Sequence, residues 1–155
     1  MSAAVEVGNK VPDFEAESTG GTVRLADLAG SPVVLYFYPK DNTPGCTTEG
    51  QDFAALHAKF RRAGARVFGI SRDGLKAHEN FRNRYEFPFH LVSDKDETLC
   101  GLFDVIRQKN MYGKKVRGIE RSTFVIDGDG VLREEWRKVK VAGHAEEVLA
   151  AVKAL

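Results

Sequence analysis

Two runs of consecutive apolar residues dominate the hydrophobic pattern of the chain. Residues 33–38 read VVLYFY, and residues 66–71 read RVFGIS. Neither run alternates with polar residues, which is typical of strands buried on both faces of a parallel sheet. The pattern therefore predicts two central strands, with layers of structure above and below them.

Helical spacing appears between and after these strands. Apolar residues recur at Phe53, Leu56 and Phe60, and the pattern stops near Gly64, so a long helix is expected there. Asp94 or Asp96 is a suitable N-cap for a later helix. The further predicted helices cover residues 75–85, 97–103 and 143–154.

Shorter strands complete the pattern. Residues 10–17 form an extended segment, and a turn at Gly20 and Gly21 precedes a strand at 22–25. The remaining predicted strands are 90–92, then 122–126 and 131–136, which form a hairpin around the DGDG turn at 127–130.

This order of elements predicts an α/β fold with a central mixed β-sheet flanked by helices. A right-handed crossover is expected between the first two buried strands. Residues 1–155 are expected to form a single domain, and the order is compatible with a thioredoxin-like fold.

Charge and composition narrow the class of protein. The chain has 23 basic and 22 acidic side chains, which gives no reason to expect nucleic acid or a membrane surface as a partner. Its apolar runs are too short to span a bilayer, and residues 1–10 lack a signal-peptide pattern. With only two cysteines, a reduced, cytoplasmic location is expected.

The segment with most chemical content is PKDNTPGCTTE at residues 39–49. It places Cys46 at the start of the first long helix, where unpaired N–H groups and the helix dipole favour a thiolate. Thr43 precedes Cys46 by three residues, so its hydroxyl is expected to face the sulfur. Pro39 and Pro44 restrict the loop, and Gly45 allows close approach of a small ligand.

The same segment resembles the active-site motif of the peroxiredoxins, in which a proline, a threonine and the reactive cysteine keep the spacing of Pro39, Thr43 and Cys46. The wider segment YFYPKDNTPGCTTEG at 36–50 is similar to the peroxiredoxin Q branch, also called bacterioferritin comigratory protein. Two further segments, 69–73 and 110–127, resemble that branch, and the similarity extends over residues 11–155.

The resemblance implies a thioredoxin-like fold and a thiol peroxidase that reduces hydrogen peroxide and organic hydroperoxides. It implies that Cys46 attacks the peroxide, while Thr43, Arg121 and the N–H groups of Gly45 and Cys46 hold the peroxide oxygens. Pro39 and Pro44 would shield the pocket, and Glu49 would orient the arginine. No metal or other cofactor is implied, because the sulfur itself carries the redox step, and the branch suggests a monomer.

The oxidised cysteine must be reduced by a second thiol. Members of this branch carry a resolving cysteine at one of two positions, which Gln51 and Arg82 occupy here. Cys100 lies in an apolar helical stripe and is expected to be a core residue rather than a resolving cysteine. We therefore expect a one-cysteine cycle with an external reductant: thioredoxin, glutaredoxin or glutathione.

Other motifs have simpler interpretations. The DGDG turn lacks the later glutamate of a twelve-residue calcium loop. The four histidines show no metal-ligand spacing with either cysteine. Six basic side chains in residues 107–121 are expected to form a solvated loop, with a role proposed only for Arg121.

Two other functions start from the same cysteine. A thiol–disulfide oxidoreductase normally needs a C-x-x-C pair, but Thr47, Thr48 and Glu49 follow Cys46. A peroxide sensor or a redox-activated chaperone would also begin with a sulfenic acid at Cys46, so the sequence leaves this alternative open.

Overall fold

The computed structural model describes residues 5–155, apart from the side chain of Met111. The first part of the chain contains five strands, a short 3-10 helix and three α-helices. In chain order they are β1 (Glu15–Ser18), β2 (Gly21–Arg24), the 3-10 helix (Leu25–Leu28), β3 (Val33–Phe37), α1 (Pro44–Arg62), β4 (Arg66–Ser71), α2 (Leu75–Tyr85), β5 (His90–Ser93) and α3 (Thr98–Leu102).

The second part contains two antiparallel hairpins and a closing helix. These elements are β6 (Ile106–Met111), β7 (Lys114–Ile119), β8 (Ser122–Ile126), β9 (Leu132–Trp136) and α4 (His144–Lys153). None of the helices in residues 5–155 combines the length and the apolar character that a membrane-spanning helix requires.

Seven strands form one mixed sheet in the order β2-β1-β5-β4-β3-β8-β9. The central strands β3, β4 and β5 are parallel, whereas β1 and β8 join them in antiparallel orientation on either side. The predicted α/β fold, with a central mixed sheet between helices, is therefore confirmed.

The core lies on both faces of this sheet, because β3 is fully buried and its side chains alternate. Val33, Leu35 and Phe37 point into one apolar layer, and Val34 and Tyr36 point into the other. Helices α1 and α4 pack on the second face. This arrangement explains the continuous apolar run at the centre of the sequence.

Residues 106–119 depart from the sequence prediction. The solvated loop expected there is a two-stranded sheet of β6 and β7, paired from Ile106 with Ile119 to Met111 with Lys114. Its polar, basic composition hides the strand pattern, because most of its side chains face solvent. The expected strand at 22–25 also differs, since Leu25 begins the 3-10 helix instead.

Candidate active site

Cys46 lies in the first turn of α1, directly after the loop that follows β3. The helix begins at Pro44, whose missing N–H costs nothing at this position, and Thr43 is the N-cap residue. The first intrahelical hydrogen bond runs from Thr47 N to Thr43 O. The N–H groups of Gly45 and Cys46 therefore have no partner within the helix, and the buried sulfur lies at its positive end.

Arg121 brings a fixed positive charge to this sulfur. Its Nη2 atom lies 3.3 Å from Sγ of Cys46, and its Nη1 atom donates to Oε1 of Glu49 at 2.6 Å. Glu49 follows Cys46 by three residues, so both side chains stand on one side of α1. One guanidinium thus joins the cysteine and the carboxylate that the sequence predicted as a group.

The pairing of β8 with β3 in the sheet places Arg121 beside the start of α1. The residue precedes β8, whose first residue, Ser122, pairs with Phe37 at the end of β3. A β-carbon at Gly45 would lie 3.3 Å from Nη2 of Arg121, tighter than an ordinary contact. The glycine therefore gives the guanidinium room to reach the start of the helix.

Glu49 is almost completely buried, and its Oε2 atom has no hydrogen-bond partner among the described residues. Burial raises the pKa of Glu49 to about 7, although the charge and hydrogen bond of Arg121 act in the opposite direction. Burial also lowers the pKa of Arg121, but the negative charges of Glu49 and Cys46 outweigh it and leave that pKa raised. The charge of Glu49, which lies on the guanidinium beside the sulfur, therefore changes with pH near neutrality.

The hydroxyl of Thr43 makes a different bond from the one expected. It donates to the carbonyl oxygen of Lys40 at 2.9 Å, which closes the loop before the helix. Its lone pairs stay available to accept a hydrogen bond. Pro39 and Pro44 are exposed at the surface of this loop.

A buried polar network, which was not predicted from the sequence, holds the same loop in place. Tyr38 donates to Oδ1 of Asp41 at 2.6 Å, and Nδ1 of His78 lies 2.7 Å from Oδ2 of Asp41. The backbone N–H of Asp41 donates to Asp73, which also accepts from Ser71. The network ties the loop to β4 and to α2.

His78 makes a close polar contact through each of its two ring nitrogens. Nε2 of His78 lies 2.9 Å from the carbonyl oxygen of Val92, which only accepts, so Nε2 carries a hydrogen. The short contact between Nδ1 and Asp41 needs a second hydrogen. Asp41, Asp73 and His78 also have ligand atoms within 4.8 Å of one another, as in a metal site. Because their oxygens already accept hydrogen bonds, we interpret the group as an anchor for the loop.

Cys100 is separated from Cys46 by the sheet. Cys46 packs in the apolar layer of Val34 and Tyr36, whereas Cys100 packs in the layer of Leu35 and Phe37 on the other face. Both thiols are free and buried. Burial raises the pKa of Cys100, and the nearby Asp94 raises it further. The N-cap residue of α3, the helix that contains Cys100, is Glu97 rather than the expected Asp94 or Asp96, although the backbone N–H groups of Leu99 and Cys100 donate to the side chain of Asp94.

The DGDG turn, His90 and His144 make hydrogen bonds that stabilise the fold. Oδ1 of Asp127 accepts from the N–H groups of Asp129 and Val131, which fixes the hairpin turn. His144 bonds to Thr123, and His90 bonds to Thr19.

Comparison with known proteins gives consistent matches along the chain. The model of the AhpC/TSA family matches residues 7–135. Peroxiredoxin Bcp of Xanthomonas campestris is 56% identical over 153 residues, which cover 98% of this chain and 96% of that protein. Peroxiredoxin Bcp of Bacillus subtilis is 47% identical over 150 residues, covering 96% of each.

Solved structures agree with the sequence matches. Peroxiredoxin Q of Xanthomonas campestris is 55% identical and superposes with a TM-score of 0.89, covering 98% of this chain and 97% of that one. A second structure from that organism, 54% identical with a TM-score of 0.89 and covering 99% and 98%, concerns the alkyl peroxide reduction activity of its bacterioferritin comigratory protein. A cysteine-to-serine variant of PrxQ from Xylella fastidiosa is 45% identical, with a TM-score of 0.92 and coverage of 99% and 98%.

Proposed function

Because the chain belongs to the AhpC/TSA family and is a thiol peroxidase of the Bcp type, we propose that Cys46 is its nucleophile and works in a one-cysteine cycle. The observation that carries the first part is the contact of 3.3 Å between Arg121 and the sulfur of Cys46, at a helix N-terminus. The separation of the two cysteines by the sheet supports the second part.

The first half of the cycle oxidises Cys46. A lone pair of the thiolate attacks one peroxide oxygen, the S–O bond forms as the O–O bond breaks, and the departing oxygen takes a proton. The products are a sulfenic acid at Cys46 and water, or an alcohol when the substrate is an organic hydroperoxide.

The second half restores the thiol. An external thiol attacks the sulfur of the sulfenic acid, releases water and forms a mixed disulfide with Cys46. A second thiol group then attacks the external sulfur, so the disulfide leaves with the reductant and Cys46 becomes a thiol again. Thioredoxin, glutaredoxin and glutathione all have the required chemistry.

Among the residues of the site, we assign to Arg121 the largest contribution to the rate of attack on peroxide. A free cysteine with a pKa near 8.5 is a few per cent ionised at neutral pH, so complete ionisation gives at most about 30-fold in rate. A lower pKa also weakens the nucleophile. Efficient reduction therefore depends on donors that stabilise charge on the departing oxygen, and the guanidinium beside the sulfur is suited to this.

The other residues of the site support this arrangement. Thr43 and the N–H groups of Gly45 and Cys46 contact the peroxide oxygens in our proposal. Glu49 fixes the direction of the guanidinium through its hydrogen bond. Pro39 and Pro44 keep the loop rigid around the sulfur.

We extend the proposal to the peroxide substrates, the oligomeric state, the location and the cofactors of the protein. The relative from Xanthomonas campestris was studied for alkyl peroxide reduction, and we assign this chain both hydrogen peroxide and organic hydroperoxides. The protein acts as a monomer of one domain in the cytoplasm, without metal, other cofactor or nucleic acid.

Steady-state turnover tests the proposal. Wild type, Cys46→Ser and Cys100→Ser are supplied with hydrogen peroxide and dithiothreitol, and peroxide consumption is followed. We expect no turnover with Cys46→Ser and wild-type turnover with Cys100→Ser. Loss of turnover in a folded Cys100→Ser variant would contradict the one-cysteine cycle. Rapid oxidation of Cys46 with a single turnover only would favour a peroxide sensor or a chaperone.

A further inference from the structure

The β6–β7 hairpin concentrates the positive charge of the molecule. Residues 106–119 contain five of the 23 basic side chains and none of the 22 acidic ones. The rest of the chain therefore carries more acidic than basic groups, although the whole is nearly neutral. The five basic residues are Arg107, Lys109, Lys114, Lys115 and Arg117.

Part of this charge has no internal partner. Arg107 pairs with Asp104 at 3.2 Å, and Arg117 pairs with Glu97. The three lysines are exposed, and none forms an ion pair with another described residue. Their charge projects into solvent, where it attracts an oppositely charged surface.

The strand register sorts these side chains by face. Lys109 pairs with Val116 and Met111 pairs with Lys114, so Lys109, Lys114 and Val116 stand on one face of the hairpin. Val116 is 42% exposed, and Tyr112 at the tip is fully exposed. Exposed apolar and aromatic side chains among cations are typical of a docking surface.

The hairpin ends close along the chain to Arg121, the residue that contacts the reactive sulfur. Its last residue, Ile119, precedes Arg121 by two positions, which span at most about 7 Å of chain. The guanidinium of Arg121 contacts Cys46. The base of the hairpin is therefore within a few residues of the site where the sulfenic acid forms, so a protein partner that covers the hairpin from base to tip would extend to that site.

We propose that this face of the β6–β7 hairpin docks an acidic protein thiol that reduces oxidised Cys46. The inference rests on the proposed one-cysteine cycle, which needs an external thiol at the sulfur. Charge complementarity decides the class of partner: a basic hairpin accelerates encounter with an acidic redoxin and leaves small neutral thiols unaffected.

The test uses a thioredoxin with an acidic isoelectric point as the probe. Protein oxidised with one equivalent of hydrogen peroxide is mixed with reduced thioredoxin, and the rate of reduction of Cys46 is measured at low and high salt. The variant is Lys109→Glu with Lys114→Glu. The matched control is Lys59→Glu with Lys153→Glu, an equal charge change at exposed lysines. Lys59 lies thirteen residues beyond Cys46 in α1, about 20 Å along the helix.

We expect the hairpin variant to react with thioredoxin at least tenfold more slowly at low salt, with the difference shrinking as salt is added. The control is expected to stay within about twofold of wild type. Reduction by dithiothreitol should be equal in all three. Equal slowing of both variants, no slowing, or no reduction of the wild type by thioredoxin would overturn the docking proposal. Failure of peroxide to oxidise Cys46, or of dithiothreitol to reduce it, would instead overturn the proposed function.

Discussion

Cys46 and Cys100 lie on opposite faces of the seven-stranded sheet, in two separate apolar layers. A disulfide requires Cα atoms within about 7 Å and side chains directed at each other. The sheet would have to open, or a helix would have to leave its layer, before these two sulfurs could meet. This arrangement is the physical basis for assigning the reducing thiol to another molecule.

Arg121→Ala should slow the attack of Cys46 on peroxide even when the thiol is fully ionised. The variant removes the donor that stabilises the departing oxygen, a loss worth about 10²- to 10³-fold in rate. The measurement is stopped-flow oxidation at a pH well above the midpoint of thiolate absorbance. Arg133→Ala, which removes an arginine paired with Asp127 away from the site, is the control. Near wild-type rates for Arg121→Ala at that pH would show that ionisation alone explains the reactivity.

Thr43→Val should also slow peroxide attack, by about 3- to 10-fold, the value of one hydrogen bond between neutral groups. Thr43→Ser keeps the hydroxyl and should restore most of the rate. The hydroxyl also donates to Lys40 in the loop, so binding of a hydroperoxide and the rate of attack should both be measured. A valine variant that matches the serine variant would argue against a role for the hydroxyl.

Glu49 should make the stability of the protein fall as pH rises toward neutrality. Burial raises the pKa of Glu49 from 4.5 to about 7 in the folded state, so the folded protein keeps a proton that the unfolded chain releases. The stabilisation is complete below pH 4.5 and is lost as pH rises through about 7. Its size is at most about 3 kcal/mol.

Denaturant unfolding of wild type and Glu49→Gln at several pH values between 4 and 8 checks this. The glutamine cannot titrate, so the stability difference between the two proteins should shift in favour of Glu49→Gln across this range. Two parallel stability profiles would mean that the pKa of Glu49 is the same in the folded and unfolded states, with the pairing to Arg121 offsetting the effect of burial.

His78→Leu should destabilise the protein by about 3 to 5 kcal/mol, because it removes the buried group that contacts Oδ2 of Asp41 and leaves that carboxyl oxygen without its partner, while Tyr38 still donates to Oδ1. Adding Asp41→Asn removes the charge of Asp41 and should recover part of the loss. His57→Leu, at a half-buried histidine, serves as the control. A loss for His78→Leu no larger than for His57→Leu, in urea unfolding, would contradict the anchoring role.

The sequence predicted the elements whose hydrophobic pattern is strong. Helix α2 and strand β4 have the bounds expected from their residues. The β6–β7 hairpin was missed because few of its side chains are buried. A strand pair that rests on backbone hydrogen bonds leaves little trace in hydrophobicity.

The candidate site also contains residues that the sequence predicted and residues that it did not. The motif around Cys46, and the resemblance that it supports, indicate Thr43, Glu49 and Arg121 from the sequence alone. The network of Asp41, Asp73 and His78 was not expected, because it joins three separate segments. A signal was present, since Asp41 and Asp73 both follow the ends of adjacent parallel strands. The positions of these two residues along the chain do not show that His78 in α2 completes the group.

Intact mass after one equivalent of hydrogen peroxide is the decisive test of the one-cysteine cycle. Reduced wild type, Cys46→Ser and Cys100→Ser are treated side by side, with an added thiol present in a second set of samples. We expect the gain of one oxygen in wild type and in Cys100→Ser, its absence in Cys46→Ser, and a mixed disulfide when thiol is present. Loss of two hydrogens in wild type, abolished by either substitution, would show that Cys100 resolves Cys46 and that the one-cysteine cycle is wrong.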